Sequence, residues 1–273
     1  IYAYTKSAHE TIGGIEAQVT HLSRSLASEG YKVVIHCLAS EDVGIQIDNE
    51  NDFSFGSKIE DVSENIKIFR PSHGPGLEGA IEENVRISSD NKEDVILCFG
   101  TRDGYVFDLA IGAKNKLGIP LVSFVYFTVE ERWYRSHFSA RGRTIYGLAS
   151  QAEKDTYFSN GENIVRKIVS ESSLVIAPTH YVRGQLVTIA GVEHTHKIKI
   201  CYHGVDANLF RKNSDADWSA SNDLLVVARL SVPFSCDKGF LWATKLIKKK
   251  KGDIPQSKIR FCGAGNGQAL IKK

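Results

Sequence analysis

The feature that most constrains this chain is a series of short, unbroken apolar runs, several of them closed by a glycine or a proline. The clearest is Asp94-Val95-Ile96-Leu97-Cys98-Phe99-Gly100. A strand with no polar alternation has no face to give to water, so both faces must be covered, as in a parallel sheet between helices. Ile1 to Thr5, Tyr31 to Cys37, Ile66 to Arg70, Leu121 to Phe127, Ser173 to Pro178 and Ile198 to Tyr202 read as further strands. Amphipathic stretches separate several of them. Ile15, Val19, Leu22 and Leu26 recur on one helical stripe that Gly30 should stop. Val106, Leu109, Ala110 and Ala113 lead to Leu117, ahead of Gly118-Ile119-Pro120, and Thr179 to Ile189 forms another helix. Strands and helices in this rhythm predict an α/β protein, with a parallel sheet, right-handed crossovers and helices on both faces.

Two stretches break the rhythm. Residues 40–65 are polar and irregular, which suits a long loop or a hairpin. Residues 128–170 are too long for an ordinary connection and open with Glu130-Glu131-Arg132-Trp133-Tyr134-Arg135. Such an insertion suits a substrate-side role. Its aromatics Trp133, Tyr134, Phe138 and Tyr146 and its cations Arg132, Arg135, Arg141 and Arg143 suit a surface that meets a partner molecule; a plain helical excursion is the alternative. A first domain is expected over 1–206 and a polar linker over 207–222. A second α/β unit restarts over 223–273, with strand Leu224 to Ala228, helix Gly239 to Lys251 and strand Lys258 to Cys262. One β-α-β unit is not a domain, so the second is expected to be incomplete. Lys248 to Lys251 reads as a solvated helix end, where cations complement the dipole.

Composition narrows the function. With 34 basic and 32 acidic side chains the net charge is +2, which argues against nucleic-acid binding driven by bulk charge. No apolar run approaches the ~20 residues of a membrane helix. Five scattered cysteines without a CxxC pair suggest neither a zinc site nor a dithiol couple. With no Asn-x-Ser/Thr triplet and no secretory leader read at the start, a reducing cytoplasm is the expected setting. Methionine is absent and the chain opens on Ile1, which fits a sequence from which residues have been dropped, with some spacings then short by one or more.

Four short motifs carry the chemistry. Gly13-Gly14-Ile15-Glu16 lies between the first strand and the first helix. There, free backbone N–H groups and the positive helix end can meet a phosphate, although a tight turn needing positive φ explains the glycines equally well. His203-Gly204-Val205-Asp206 closes the first domain and reads by itself as a turn. Arg229, in Val227-Ala228-Arg229-Leu230-Ser231, and Lys238, in Asp237-Lys238-Gly239, fall at a strand's carboxyl end and the next helix start. Two cations in that crevice suit a diphosphate, whereas either alone reads as a solvated charge. Gly263-Ala264-Gly265-Asn266-Gly267 follows a strand, but Gln268 occupies the third glycine position of a dinucleotide fingerprint, which weakens an NAD reading.

In this order the motifs resemble those of the retaining nucleotide-sugar glycosyltransferases of family four, which have the GT-B fold of two Rossmann-like domains. Gly13 to Glu16, His203 to Asp206, Ala228-Arg229-Leu230, Asp237-Lys238-Gly239 and Gly263-Ala264-Gly265 stand where that family has GGIE-, NGVD-, GRL-, DKG- and GDG-like segments. The resemblance implies a sugar transferred from a nucleoside diphosphate, with retention of configuration, to a glycan, lipid or small-molecule acceptor. It implies no cofactor and no metal; the nucleotide sugar is substrate. Gly13, Gly14, Arg229, Lys238 and Gly265 would bind the donor phosphates, with Arg229 and Lys238 catalytic. Arg102, Asp103, Tyr126, Glu130 and Trp133 are acceptor-side candidates on the first domain. Polysaccharide biosynthesis is the implied setting, at the inner face of a membrane if contact with it is peripheral.

Three departures qualify this. Tyr126-Phe127 stands where many relatives carry a histidine near the reacting sugar, and Ile96 to Phe99 lacks the histidines often found there. The family's paired-glutamate donor motif would fall beyond Lys273, so the chain by itself is expected to be inactive. A GT-B-like module that only binds a glycan or a partner, and a sugar-nucleotide epimerase or hydrolase, are the competing readings.

Overall fold

The computed structural model describes residues 1–5, 14–37, 58–70, 94–99, 105–126, 150–205, 207, 224–227 and 259–262. In chain order these form β1 (Tyr2–Thr5), α1 (Gly14–Ser28), β2 (Val33–Cys37), β3 (Lys58–Ser63), β4 (Ile66–Arg70), β5 (Ile96–Phe99), α2 (Tyr105–Leu117), β6 (Leu121–Phe124), α3 (Gln151–Glu171), β7 (Leu174–Ala177), α4 (His180–Ala190), a 3-10 turn (Val192–Lys197), β8 (Ile198–Ile200), β9 (Leu224–Val227) and β10 (Ile259–Cys262). Backbone contacts divide the chain into two units: Ile1–Thr128 with Asn160–Gly204, and Val129–Ser159 with Val205–Lys273.

The first unit is built on an eight-stranded sheet in the order β3-β4-β2-β1-β5-β6-β7-β8. Every pairing is parallel except β3 with β4. β1 lies between β2 and β5, with Tyr2 opposite both Val34 and Ile96. From β1 the chain passes through α1 to one side; from β5 it passes through α2 to the other. Right-handed crossovers in opposite directions place α1 and α2 on opposite faces, as the sequence predicts.

The α1 stripe packs Val19 among Ala3, Val33, Ile35, Ile66, Ile68, Phe99 and Phe124, with Ile15, Leu22 and Leu26 beside it. Gly30 ends the helix in the left-handed region, at φ +89°. Its N–H bonds Ala27 O at 3.0 Å, and Tyr31 N–H bonds Leu26 O at 3.0 Å, the paired closure that exposed helix-end carbonyls require. On the opposite face α2 buries Val106, Phe107, Leu109, Ala110, Ile111 and Ala113.

Two elements differ from the sequence reading. The second half of the stretch set apart as 128–170 is α3, whose Val165, Ile168 and Val169 are buried. Among its described side chains the buried apolar ones sit in the last turns, which hides the helix behind a charged first half. The polar stretch before Ile66 contains β3, hairpin-paired to β4 with an irregularity between Asp61 and Ser63. At the edge of this sheet β3 has β4 as its neighbour, and the charges in its sequence suit an edge that must not pair further. The expected helix at Gly239 to Lys251 lies outside the described residues. β9 and β10 pair in parallel, Val227 opposite Cys262.

Polar ties lock α3 to its neighbours. Lys114 Nζ lies 2.9 Å from Glu171 Oε2, and Lys167 Nζ 2.8 Å from Asp108 Oδ1. Arg166 Nε donates to Ile189 O at 3.0 Å, and Lys197 Nζ donates to Ser170 O and Ser172 O at 3.0 and 3.1 Å. Ser172 Oγ, buried, sits 2.7 Å from both Ser123 Oγ and Ile168 O. Among the described residues, no helix is long and apolar enough to cross a membrane.

Removing one hydroxyl of the buried serine pair leaves the other without its partner. Ser172→Ala is therefore expected to lower stability by about 1–3 kcal/mol, and Ser123→Ala plus Ser172→Ala by less than the two single losses added. Denaturant unfolding of the three variants checks this; strict additivity refutes the coupling. Glu171 is held below the ordinary glutamate range, chiefly by its hydrogen bond from Lys114. A depressed carboxylate contributes stability above its unfolded pKa and loses it as pH falls through the folded one. Lys114→Met should therefore cost about 0.5–1 kcal/mol at neutral pH, given partial exposure. The difference from the parent should fade in acid, below the ordinary glutamate pKa; unfolding curves across that range check the sign.

Candidate functional site

A parallel sheet gathers the carboxyl ends of its strands on one edge. Where successive crossovers leave in opposite directions, the two loops part and open a crevice. Here that point lies between the carboxyl ends of β1 and β5. α1 begins at Gly14 on that edge, with its free N–H groups and positive dipole end. Gly14 is exposed and has no positive φ, and an added Cβ would meet nothing within 4 Å among the described residues. Among the described residues, neither backbone strain nor packing there calls for glycine.

Tyr126, two residues past β6, lies on the same edge and packs against the core under α1. An aromatic column runs along it. Phe99 and Phe124 stack at 4.5 Å and 11°, Phe124 and Tyr126 lie 6.5 Å apart at 20°, and Tyr126 and the exposed His203 lie 5.7 Å apart at 19°. Beside it His180, the first residue of α4, meets Tyr202 at 6.3 Å. Burial pushes the Tyr126 phenol up, with the nearby thiols of Cys98 and Cys201 adding to the shift, so Oη keeps its proton at neutral pH. Tyr126 Oη and Gln18 Oε1, the latter near the start of α1, are both buried with no hydrogen-bond partner among the described residues.

Two of the residues proposed from sequence are thus located, Gly14 and Tyr126, and the sheet brings both to its carboxyl edge. Gly13, Arg102, Asp103, Glu130, Trp133, Arg229, Lys238 and Gly265 lie outside the described residues. Gln18 and His203 were not nominated as site residues. His203 does open one of the four motifs, His203 to Asp206, which by itself reads only as a turn closing the first domain. Gln18 carried no signal, being one polar residue among several on α1. Among the described residues, no group of three or more His, Cys, Asp or Glu side chains is arranged to hold a metal.

The model of the family described as Glycosyltransferase Family 4 matches residues 12–209, well over half of the chain. Comparison with curated proteins finds no match. Among solved structures, HepE of Anabaena in complex with UDP is similar at 11% identity and a TM-score of 0.51, over 96% of this chain and 68% of that one. A trehalose-6-phosphate synthase structure, OtsA, is similar at 9% identity and a TM-score of 0.54, over 99% and 67%. An E. coli structure described as trehalose-6-phosphate bound with UDP-2-fluoro glucose is similar at 9% identity and a TM-score of 0.53, over 97% and 64%. At such identities the likeness is one of fold, the α/β architecture of GT-B glycosyltransferases, and the chain spans about two thirds of each structure's length.

If Gly14 serves a ligand and not the fold, Gly14→Ala should fold as well as the parent. Its stability should be unchanged or raised by up to about 0.5–1 kcal/mol, since alanine is the better helix former, and its thermal midpoint should be no lower. A fall of several degrees would assign the glycine to the backbone.

Proposed function

The chain belongs to Glycosyltransferase Family 4, and from that premise we propose that it transfers a sugar from a nucleoside-diphosphate sugar to a carbohydrate or lipid-linked acceptor with retention of configuration. The observation that carries this reading is the family match across residues 12–209, which takes in α1 and the carboxyl edge of the first sheet. What a nucleotide sugar needs fits that edge: backbone donors for phosphate at the start of α1, and neutral hydrogen-bonding side chains for a sugar.

In this proposal residues 1–206 form the acceptor-side domain, 207–222 a linker, and 223–273 the start of the donor-side domain. The leaving diphosphate gains negative charge as the glycosidic bond breaks. Arg229 and Lys238, with the backbone at Gly13, Gly14 and Gly265, would meet that charge and so favour the transition state over the ground state. Arg102, Asp103, Tyr126, Glu130 and Trp133 would line the acceptor side. Charge neutralisation by side chains and backbone leaves no step that requires a metal or resident cofactor. Polysaccharide synthesis on the cytoplasmic side, with peripheral membrane contact where the acceptor is lipid-linked, is the setting this chemistry fits.

The test is release of nucleoside diphosphate by the full-length protein from a panel of nucleotide sugars, with and without acceptor sugars. Turnover of at least one donor is expected; binding without turnover would favour a catalytically silent module. In the active enzyme, Arg229→Ala and Lys238→Ala should each lower kcat roughly 100- to 1000-fold with the fold intact. The double variant should lose less than the product of the two, because both cations act on one diphosphate. Arg229→Lys should rescue in part, a point charge replacing a bidentate fork. Values within twofold of the parent for both single variants would overturn the assignment.

A further inference from the structure

The eight-stranded sheet ends at β8, so one side of that strand has no neighbouring strand. Such an edge offers its backbone groups to any extended segment that can lie along it. The run here is suited to pairing: Ile198-Lys199-Ile200-Cys201-Tyr202 carries one charge among β-branched and aromatic residues. Cys201 N–H bonds Ala177 O at 3.0 Å, and Ile200 stands opposite Ala177. Alternate residues of a parallel strand turn their backbone groups to alternate sides. Lys199 and Cys201 therefore face β7, and Ile198 and Ile200 face outward. Both outward groups of Ile198 are already taken from within the chain. Its N–H bonds Thr195 O in the 3-10 turn, and its carbonyl accepts from Arg183 Nε of α4 at 3.1 Å. Lys197 pins that turn in place, through the carbonyls of Ser170 and Ser172 at the end of α3.

We propose that Arg183 and the 3-10 turn guard this edge, and that what they exclude is the β8 edge of a second copy of the chain. Identical edges can pair about a twofold axis, because each copy presents the groups the other needs. With Ile198 occupied, an incoming strand meets Ile200 alone among the described outward residues of β8. One residue's pair of hydrogen bonds does not repay the freedom lost when two molecules associate. To reach Ile198 the strand would have to displace the guanidinium or bury it beside itself, and stripping a charge of water costs far more than stripping a neutral group. At the opposite end of the sheet β3 carries Lys58, Glu60 and Asp61, so the two edges are protected by different means. The inference concerns the sheet itself and does not depend on the transferase reading.

Sedimentation velocity of the full-length protein over a concentration series tests it, with unfolding curves to establish that each variant is folded. Arg183→Met keeps the apolar stem and removes the donor and the charge. It should strengthen self-association about tenfold or more over the parent, because a symmetric pair gains the freed carbonyl twice. Arg183→Lys, which keeps a charge at the edge, should fall between the two. Adding Ile200→Pro to Arg183→Met should restore the parent's behaviour, since proline there removes the outward N–H and leaves the bonds to β7 intact. Association unchanged in Arg183→Met, or raised and not reversed by Ile200→Pro, overturns the inference. The parent supplies a second reading that needs no variant to fold. In amide exchange Ile198, bonded to Thr195 O, should be protected at least about tenfold more than Ile200, whose N–H faces outward. Equal protection of the two would mean that the edge is covered along its whole length by something else, and the guard would fall with it.

Discussion

The central pairing of β1 is the constraint on which the rest of the first unit depends. One four-residue strand is sandwiched between β2 and β5, in parallel register with both. Because parallel neighbours cannot be joined by a tight turn, the connection from β1 to β2 and that from β5 to β6 each cross a face of the sheet, with α1 on one and α2 on the other. That single arrangement fixes which helices cover which residues, and the exit of every strand of this sheet but β3 falls on one edge. It also locates the crevice at the one place where the chain does not return over itself. The start of α1 and the aromatic column reach the same edge because the strands beneath them share one direction.

Much of this was legible from the residues. Ile96 to Phe99 has no polar member, so burial on both faces could be read directly, and the structure buries Ile96, Cys98 and Phe99. Gly30 and Gly118 mark helix ends in sequence and take positive φ in the structure. What escaped follows from where stabilisation comes from. α3 is polar over most of its length and owes its place to three buried residues near its end, together with salt bridges and carbonyl contacts made by distant side chains. No local pattern encodes Lys114 meeting Glu171. β3 was read only as loop or hairpin because an edge strand need not alternate.

The site divides in the same way. Gly14 could be nominated because its position between a strand and a helix has a local physical meaning. Tyr126 was nominated by resemblance, as a departure from a histidine. The contact that gives it context, the ring of His203, joins residues brought together by β6, β7 and β8, and no spacing announces it. The orphaned oxygens of Tyr126 and Gln18 are visible only once neighbours are known, since being unpaired is a property of surroundings and not of residue type.

The position of β1 has a further consequence, for how the chain comes to fold. Tyr2 finds one partner in Val34 and its other in Ile96. On a ribosome the first pairing can form early, but the second waits until β5 has emerged. In the interval one side of β1 offers its backbone groups to any extended segment nearby. Long-range parallel pairings of this kind close slowly, because the entropy of the intervening loop must be surrendered before the strand contacts form. The hairpin of β3 and β4, local in sequence and charged on its outer strand, can meanwhile close the opposite margin of the nascent sheet. The chain thus shields one flank of its growing core early and leaves the other, beside the future crevice, as the last part to be sealed.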